Sequence, residues 1–288
     1  MTAFIKRNLQ LFFTNGSNLF FSLLGALISF VLYIVFLKQN MASALPFTGK
    51  SAVLDPWVIG GTLTVTAVTT TLSALSQMIQ DRERGTLADF LMTKLAYWQL
   101  QTAYLVSAFI VGWIMQIIMA GVMYAYFAAV DGITIPWKLT PQLIGIAGFS
   151  SLIWTAFSLL CLSFVKKVDT LGKLGTIIGT ASGFFAGVYI PIESVPKAAQ
   201  TLMKITPAPY NAALYRQLLM KTALNDKFSG ARAGQKAAFE TAFGVRLKLG
   251  SVLSLTSVYG VMLAFLVGFV IVALLLMRRS RKQVMVRI

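Results

Sequence analysis

Residues 19–37 read LFFSLLGALISFVLYIVFL, a run without a charged side chain. A helix needs about 20 mostly apolar residues to cross the hydrocarbon core of a bilayer. The run has that length. It is too long for the apolar core of a secretory signal peptide, although Ala42, Ser43 and Ala44 imitate a cleavage site after it. The sequence therefore predicts a membrane-spanning helix here.

Apolar runs of similar length recur along the chain. The predicted spans cover residues 19–37, 57–79, 103–130, 143–165, 171–190 and 252–277. Hydrophobic residues make up 57% of the 288 residues and charged residues 12%, whereas soluble domains carry about 25% charged residues. We therefore predict an all-α integral membrane protein with six transmembrane helices in a single domain.

The segment before the first span has its own pattern. In residues 3–14, one helical face carries Phe4, Ile5, Leu9, Phe12 and Phe13. Lys6, Arg7 and Gln10 lie off that face. A ragged tail in water would expose all five apolar side chains. The pattern predicts an amphipathic helix lying in the membrane interface.

The loops between the spans differ in positive charge. Cytoplasmic loops of membrane proteins carry an excess of Lys and Arg. The short loops of one side hold only Lys38, Lys50 and Lys138. The other side holds Lys6, Arg7, Arg82, Arg84, Lys94, Lys166, Lys167, Lys173, Arg278, Arg279, Arg281, Lys282 and Arg287. We predict that both termini are cytoplasmic and that the net charge of +16 reflects topology, not nucleic-acid binding.

The chain lacks the residues that several classes of enzyme require. The chain contains no histidine and one cysteine, Cys161, so neither a Ser-His-Asp triad nor a usual zinc site can form. It contains no P-loop pattern. Ion-coupled carriers usually place ionisable groups inside their spans, and the predicted spans have almost none. We expect no catalytic site and no metal in this chain.

The second predicted span carries hydroxyl groups on one helical face. They belong to Thr62, Thr66, Thr69, Ser73 and Ser76. Such a face should not point at lipid tails. It can pack against another helix, because small polar residues permit close approach, or it can line a translocation path. The spacing fits both interpretations.

Residues 81–91, DRERGTLADFL, form the densest charge cluster. Thr86 can cap a short helix that carries Leu87, Phe90 and Leu91 on one side. Such a helix, flanked by charges, can dock into a groove on a partner protein. A solvated loop with internal ion pairs is the other interpretation.

The fifth predicted span contains a glycine stripe, with glycine at every fourth position. Its members are Gly175, Gly179, Gly183 and Gly187. Each glycine weakens a helix by up to about 1 kcal/mol relative to alanine. The stripe therefore indicates close backbone approach, either within the chain or at a seam with a second subunit.

Residues 191–250 are predicted to form an extracytoplasmic hairpin and extension. Prolines divide the first part into helical stretches that are too short to span. They lie at the membrane surface or dip back into the protein. Glu193 and Arg216 are candidate ion-pair partners there. Further on, Phe239, Phe243 and Leu247 predict an amphipathic helix within residues 237–248.

These features together, and most specifically Glu83-Arg84-Gly85-Thr86-Leu87, resemble the type-2 ABC transporter permeases, which include drug-resistance and polysaccharide-export members. The resemblance implies a dimer of six-span subunits, each carried by a cytoplasmic ATP-binding subunit. It implies re-entrant helices over residues 192–220, and a coupling helix over residues 81–93. The residues implied to contact the ATPase are Asp81, Arg82, Glu83, Arg84, Gly85, Thr86, Leu87, Phe90 and Leu91.

We therefore expect the transmembrane subunit of an ATP-driven exporter. Its cargo would be amphipathic or hydrophobic: a drug, an antimicrobial peptide or a lipid-linked molecule. Thr62, Thr66, Thr69 and Ser73 are the candidate path, and the glycine stripe is the candidate dimer seam. The expected partners are the ATPase, which would hold ATP and Mg, an identical permease subunit and membrane lipid. The alternative is an ATP-independent carrier or channel.

The charge asymmetry yields a topology test. Single cysteines replacing Lys50 and Lys138 should react with a membrane-impermeant thiol reagent added outside cells, because their loops are predicted to be external. A cysteine replacing Lys94 should react only after permeabilisation. Labelling of position 94 from outside would contradict the predicted orientation.

Overall fold

The computed structural model describes residues 1–43, 47–92, 96–134, 137–165, 167–229 and 234–285. Within those ranges the side chains of residues 88, 91 and 277–285 are not described. Lys94, Lys166, the side chain of Leu91 and the cations predicted after residue 277 therefore lie outside the described residues.

Five helical segments in the described ranges are long and apolar enough to cross a membrane. They are Gly16–Ser43, Ser51–Glu83, Tyr97–Asp131, Trp137–Leu162 and Leu255–Leu276. They coincide with the first, second, third, fourth and sixth predicted spans. The predicted fifth span becomes a helix of 18 residues, Val168–Phe185, which ends before residue 190 and is not among the five.

Helices account for nearly all regular structure in the described ranges. In chain order they are α1 Thr2–Thr14, α2 Gly16–Leu32, α3 Lys38–Ser43, α4 Ser51–Glu83, α5 Thr86–Leu91, α6 Tyr97–Asp131, α7 Thr140–Leu162, α8 Val168–Phe185, α9 Lys197–Lys204, α10 Ala208–Leu219, α11 Lys221–Lys227, α12 Lys236–Ala242 and α13 Leu255–Met285. A π-helical turn, Tyr33–Leu37, joins α2 to α3. Strands β1 Lys248–Leu249 and β2 Ser251–Val252 pair antiparallel, a short exception to the predicted all-α fold.

Helix α4 is the centre of the bundle. Of its most apolar stretch, 83% is buried inside the protein, against 17–50% for the other four candidate spans. It packs against α2, α6, α7, α8 and α10. Five of its six threonine hydroxyls donate to carbonyls of the preceding turn, as Thr66 does to Thr62 at 2.9 Å and Thr70 to Thr66 at 2.6 Å. These bonds let a hydroxyl-rich helix occupy the interior.

Helices α4, α6 and α7 meet most closely at Gly112 of α6. A Cβ atom built there would lie 2.4 Å from Thr71 Cγ2 and 2.6 Å from Ser151 Oγ. Both are shorter than any real Cβ contact. At the same level the Thr71 and Ser158 hydroxyls are 3.2 Å apart and share a hydrogen bond. The glycine therefore sets the distance between these helices.

The helix ends fall into two groups. The end of the bundle that holds α5, the α5 end, also holds α1 and the start of α8. The opposite end, the α12 end, holds α3, α9 and α12. Helix α1 buries Phe4, Asn8 and Phe12 and packs mainly on α6. The predicted interfacial helix therefore has protein beneath its apolar face.

The segment after α8 forms two short helices, α9 and α10, broken by proline as predicted. Nearly every residue of α10 is buried. The expected Glu193–Arg216 ion pair is wrong, because Glu193 is exposed and Arg216 points inward. The Arg216 guanidinium donates to the carbonyls of Trp57 at 3.2 Å, Ala186 at 3.1 Å and Gly187 at 2.8 Å. It thereby joins α10 to α4 and to the end of α8.

The predicted helix within residues 237–248 is shorter than expected. Helix α12 ends at Ala242, and Gly244 adopts a φ of +64° that ends helical geometry. The chain then enters β1. Phe239 and Phe243 nevertheless stack, with ring centroids 4.2 Å apart. The apolar spacing therefore continues past the position where Gly244 ends the helix.

Two glycines of α6 provide a matched stability test. Gly112→Ala should lower the free energy of unfolding by about 1–3 kcal/mol, because the added methyl overlaps two neighbouring helices. Gly121→Ala should be neutral or stabilising by up to about 1 kcal/mol, since no described atom beyond its own helix backbone lies within 4 Å of its Cβ position. Thermal unfolding of the purified protein in detergent measures both. Equal effects would contradict the assignment of Gly112 as the closest contact.

Candidate functional site

A groove of about 550 Å³ lies between α2, α4 and α8. Its polar lining consists of Asn18, Ser22, Thr69, Ser73, Ser76, Gln80, Thr176, Thr180 and Tyr189. Phe21, Ile28 and Leu72 contribute apolar surface. None of the described lining residues carries a formal charge. The groove can hydrogen-bond a neutral polar group while contacting an apolar one, which suits an amphipathic molecule better than a bare ion.

The structure divides the predicted hydroxyl face of α4 into two parts. Thr62 and Thr66 are fully buried against other helices. Thr69, Ser73 and Ser76 are half-buried and line the groove. Both interpretations of this face therefore have a structural basis, packing in the first half and groove lining in the second.

The predicted glycine stripe also serves more than one purpose. Gly175 and Gly179 line the groove, and Cβ atoms there would make ordinary contacts of 4.0 Å with Leu72 and 3.8 Å with Thr69. Gly183 makes room for Tyr189, whose ring atoms would lie 2.6 Å from a Cβ. Gly187 falls outside α8, and its φ of +61° turns the chain. The expectation of one continuous stripe is therefore wrong, because α8 ends before its last member.

Two side-chain hydrogen bonds hold α2 across the groove. Near the α5 end, Ser73 of α4 donates to the Asn18 side chain at 2.9 Å. Further along, the hydroxyls of Ser29 and Tyr189 lie 3.0 Å apart. Neither Asn18 nor Tyr189 is among the site residues predicted from the sequence. Each is a polar residue at the edge of an apolar run, and that position is the sequence feature that could have identified it.

Asp81 is buried at the α5 end, in the last turn of α4, and is 2% exposed. Arg7 of α1 donates to its two oxygens at 2.8 and 3.1 Å. The Tyr104 hydroxyl of α6 donates at 2.6 Å and the Gln77 amide at 2.8 Å. Hydrogen bonding to Asp81 raises the pKa of Arg7, so the guanidinium stays charged. Asp81 therefore ties α1, α4 and α6 together.

The apolar side of helix α5 packs against other residues of the same chain. The Phe90 ring lies edge-on to Phe4, with centroids 4.9 Å apart, and the Arg7 guanidinium sits 4.9 Å from the Phe90 centroid. Leu87 packs against the same cluster. The hypothesis that this ridge fills a partner's groove needs correction, since residues of the same chain already cover Leu87 and Phe90 in part. The exposed residues of the segment are Arg82, Glu83, Arg84, Gly85 and Asp89, with Thr86 half-buried.

Glu83 connects the segment to the groove. Its carboxylate accepts a hydrogen bond of 2.7 Å from the Val168 N–H, the first residue of α8. A carboxylate at a helix N-terminus satisfies a free N–H group and interacts favourably with the helix dipole. The end of α4 and the start of α8 are therefore joined directly beside α5.

The five candidate spans, the buried polar α4 and the charged α5 end define a multi-pass membrane protein of a transporter type. The family model of the ABC-2 type transporter matches residues 1–220, which contain α1 to α10. The chain belongs to the ABC-2 type transporter family and is a membrane component of an ABC transporter. No curated protein matches the chain.

Proposed function

We propose that this chain is the transmembrane subunit of an ATP-driven exporter and that cargo passes along the groove between α2, α4 and α8. The uncharged, hydroxyl-lined groove supports this proposal most directly. The polar part of an amphipathic cargo would bond to Thr69, Ser73 and Thr180. Its apolar part would contact Phe21 and Ile28. A drug, an antimicrobial peptide or a lipid-linked molecule has this chemistry.

Helix α8 is proposed as the sixth span. At 1.5 Å per residue, 18 residues extend about 27 Å, close to the hydrocarbon thickness of about 30 Å. An even number of spans puts both termini on one side, and the loop charges favour the cytoplasm. The α12 end is then external. Burial of α10 against α4, α7 and α13 supports a re-entrant hairpin, because its backbone is covered by protein.

The exposed side of α5 is the proposed contact with a cytoplasmic ATPase subunit, which would bind ATP and Mg. Arg82, Arg84 and Asp89 are exposed there and can set the register of a partner. A push on α5 would reach α1 through Phe90. It would reach α8, a wall of the groove, through the bond from Val168 to Glu83.

A second copy of the chain is proposed to complete the transporter. Members of the family normally work with ATPase subunits, and one permease subunit on each of two ATPases gives a symmetric assembly. Helix α2 has only 28% of its most apolar stretch buried and α13 only 17%. Lipid and the second copy would share these faces.

The ATPase contact is tested by charge reversal on α5. Arg84→Glu and Asp89→Lys should leave the permease folded and in the membrane, because both side chains are exposed. Each should reduce the ATPase retained on affinity purification by about fivefold or more, as expected for loss of over 1 kcal/mol at an interface. Lys197→Glu, an exposed reversal on α9, is the control. Full retention by both α5 variants would refute the proposed contact.

The groove is tested in proteoliposomes containing the permease and its ATPase. Gly179→Leu should reduce cargo transport and cargo-stimulated ATP hydrolysis roughly tenfold, because a leucine would fill the space between α8 and Thr69. Gly121→Leu on α6, where no described atom beyond its own helix backbone lies within 4 Å of the Cβ position, should transport normally. Normal transport by Gly179→Leu would exclude the groove as the path. Transport without any ATPase would favour the carrier.

A further inference from the structure

A buried ion cluster joins three helices at the α12 end. Lys38, the first residue of α3, places its Nζ 3.1 Å from Asp55 Oδ1 of α4. The same Nζ pairs with Asp131, the last residue of α6. The Tyr33 hydroxyl donates to Asp55 Oδ1 at 2.7 Å. We call Tyr33, Lys38, Asp55 and Asp131 the Lys38 clamp.

The π-helical turn explains how two residues five positions apart reach one carboxylate. In a regular α-helix, residues 33 and 38 would point in directions about 140° apart. In the turn Tyr33–Leu37, the Lys38 N–H bonds to the Tyr33 carbonyl, five residues back. That bond stacks Lys38 over Tyr33, so both side chains face Asp55. A π-helical turn weakens a helix and often marks a functional position.

Burial makes the clamp costly to break. Asp55 and Tyr33 are fully buried, and the side chains of Lys38 and Asp131 are 20% and 14% exposed. The ammonium also lies 5.1 Å from the centroid of the Phe127 ring of α6. Removing one partner of a buried pair leaves an uncompensated charge, whereas removing both partners does not. Lys38 is therefore either bound to the carboxylates or fully released, without stable intermediate positions.

The clamp determines where one wall of the groove stands. Helix α2 is fixed to α4 near the α5 end by the bond from Ser73 to Asn18. At the other end, the Lys38 clamp fixes it to α4 and α6. Between these points, the groove separates α2 from α8, and only the Ser29–Tyr189 bond crosses it in the described residues. Widening the groove by moving α2 requires one of these two ends to be released.

We propose that the Lys38 clamp keeps α2 against α4 and that Lys38 is a positioning residue whose release widens the groove. The ammonium is the only cation that the described structure gives both carboxylates, so its departure leaves the Tyr33 hydroxyl as the remaining clamp bond to Asp55, while the Asn18 end of α2 keeps its own bond. The effect of the clamp on transport rests on the proposed function, in which the groove is the cargo path. The motion itself can be measured without cargo.

The test uses a buried reporter. Ala26 of α2 is fully buried in the core shared with α4 and lies two turns from Asn18, so Ala26→Cys in a Cys161→Ser background reports separation of α2 from α4. In membranes, Lys38→Gln should raise the rate of maleimide labelling at position 26 about tenfold, by populating the open state. Lys38→Arg should keep the parent rate. Lys173→Gln, which breaks an exposed pair on α8, is the matched control and should also keep it.

A double variant separates the clamp from a folding defect. Lys38→Gln with Asp55→Asn removes both charges at the fully buried position and leaves only the Asp131 carboxylate, whose side chain is 14% exposed, so a defect caused by an unpaired charge on Asp55 would disappear. The clamp predicts that labelling stays fast, because α2 is still released. A return to the parent rate would overturn the proposal. Fast labelling with unchanged cargo transport would support the proposed role of the Lys38 clamp and would reject the groove as the cargo path.

Discussion

Helix α4 must run through the interior of the bundle while carrying more hydroxyl groups than lipid would tolerate. Five of its six threonines meet that constraint by bonding to carbonyls one turn back, so no partner helix has to match those hydroxyls. The surface of α4 is therefore narrow, and neighbouring helices can approach it closely. Gly112 uses that surface at the crossing with α6. The groove begins on another face of α4, where α2 and α8 leave Thr69, Ser73 and Ser76 only half-buried.

Charge is used differently at the two ends of this helix. At the α5 end, Asp81 gathers α1, α4 and α6 into one network whose cation remains partly exposed. At the α12 end, Asp55 and Asp131 share one lysine in a more buried setting. A buried cluster with one cation has few intermediate arrangements, because partial separation leaves a carboxylate unpaired. The first network suits a permanent joint and the second a two-state contact.

Helix α8 joins the two halves of the proposed mechanism. Its N-terminus is held by Glu83 beside α5, its middle forms a groove wall, and its C-terminal carbonyls bond to Arg216. Movement at α5 therefore has a short covalent and hydrogen-bonded route to the groove. The same arrangement explains why the glycines of α8 differ in role, since each faces a different neighbour along its length.

The sequence by itself determined the membrane class, the position of five candidate spans and the two short helices after α8. Length, hydropathy and proline placement are local properties of the sequence. They suffice to locate a span because, in lipid, each helix must satisfy the hydrogen bonds of its own backbone. The tertiary structure decided which polar residues meet. Arg216 bonds to carbonyls and not to Glu193, and Asp81 pairs with Arg7 from 74 positions away. Such pairings depend on how helices pack around α4, which no local pattern encodes.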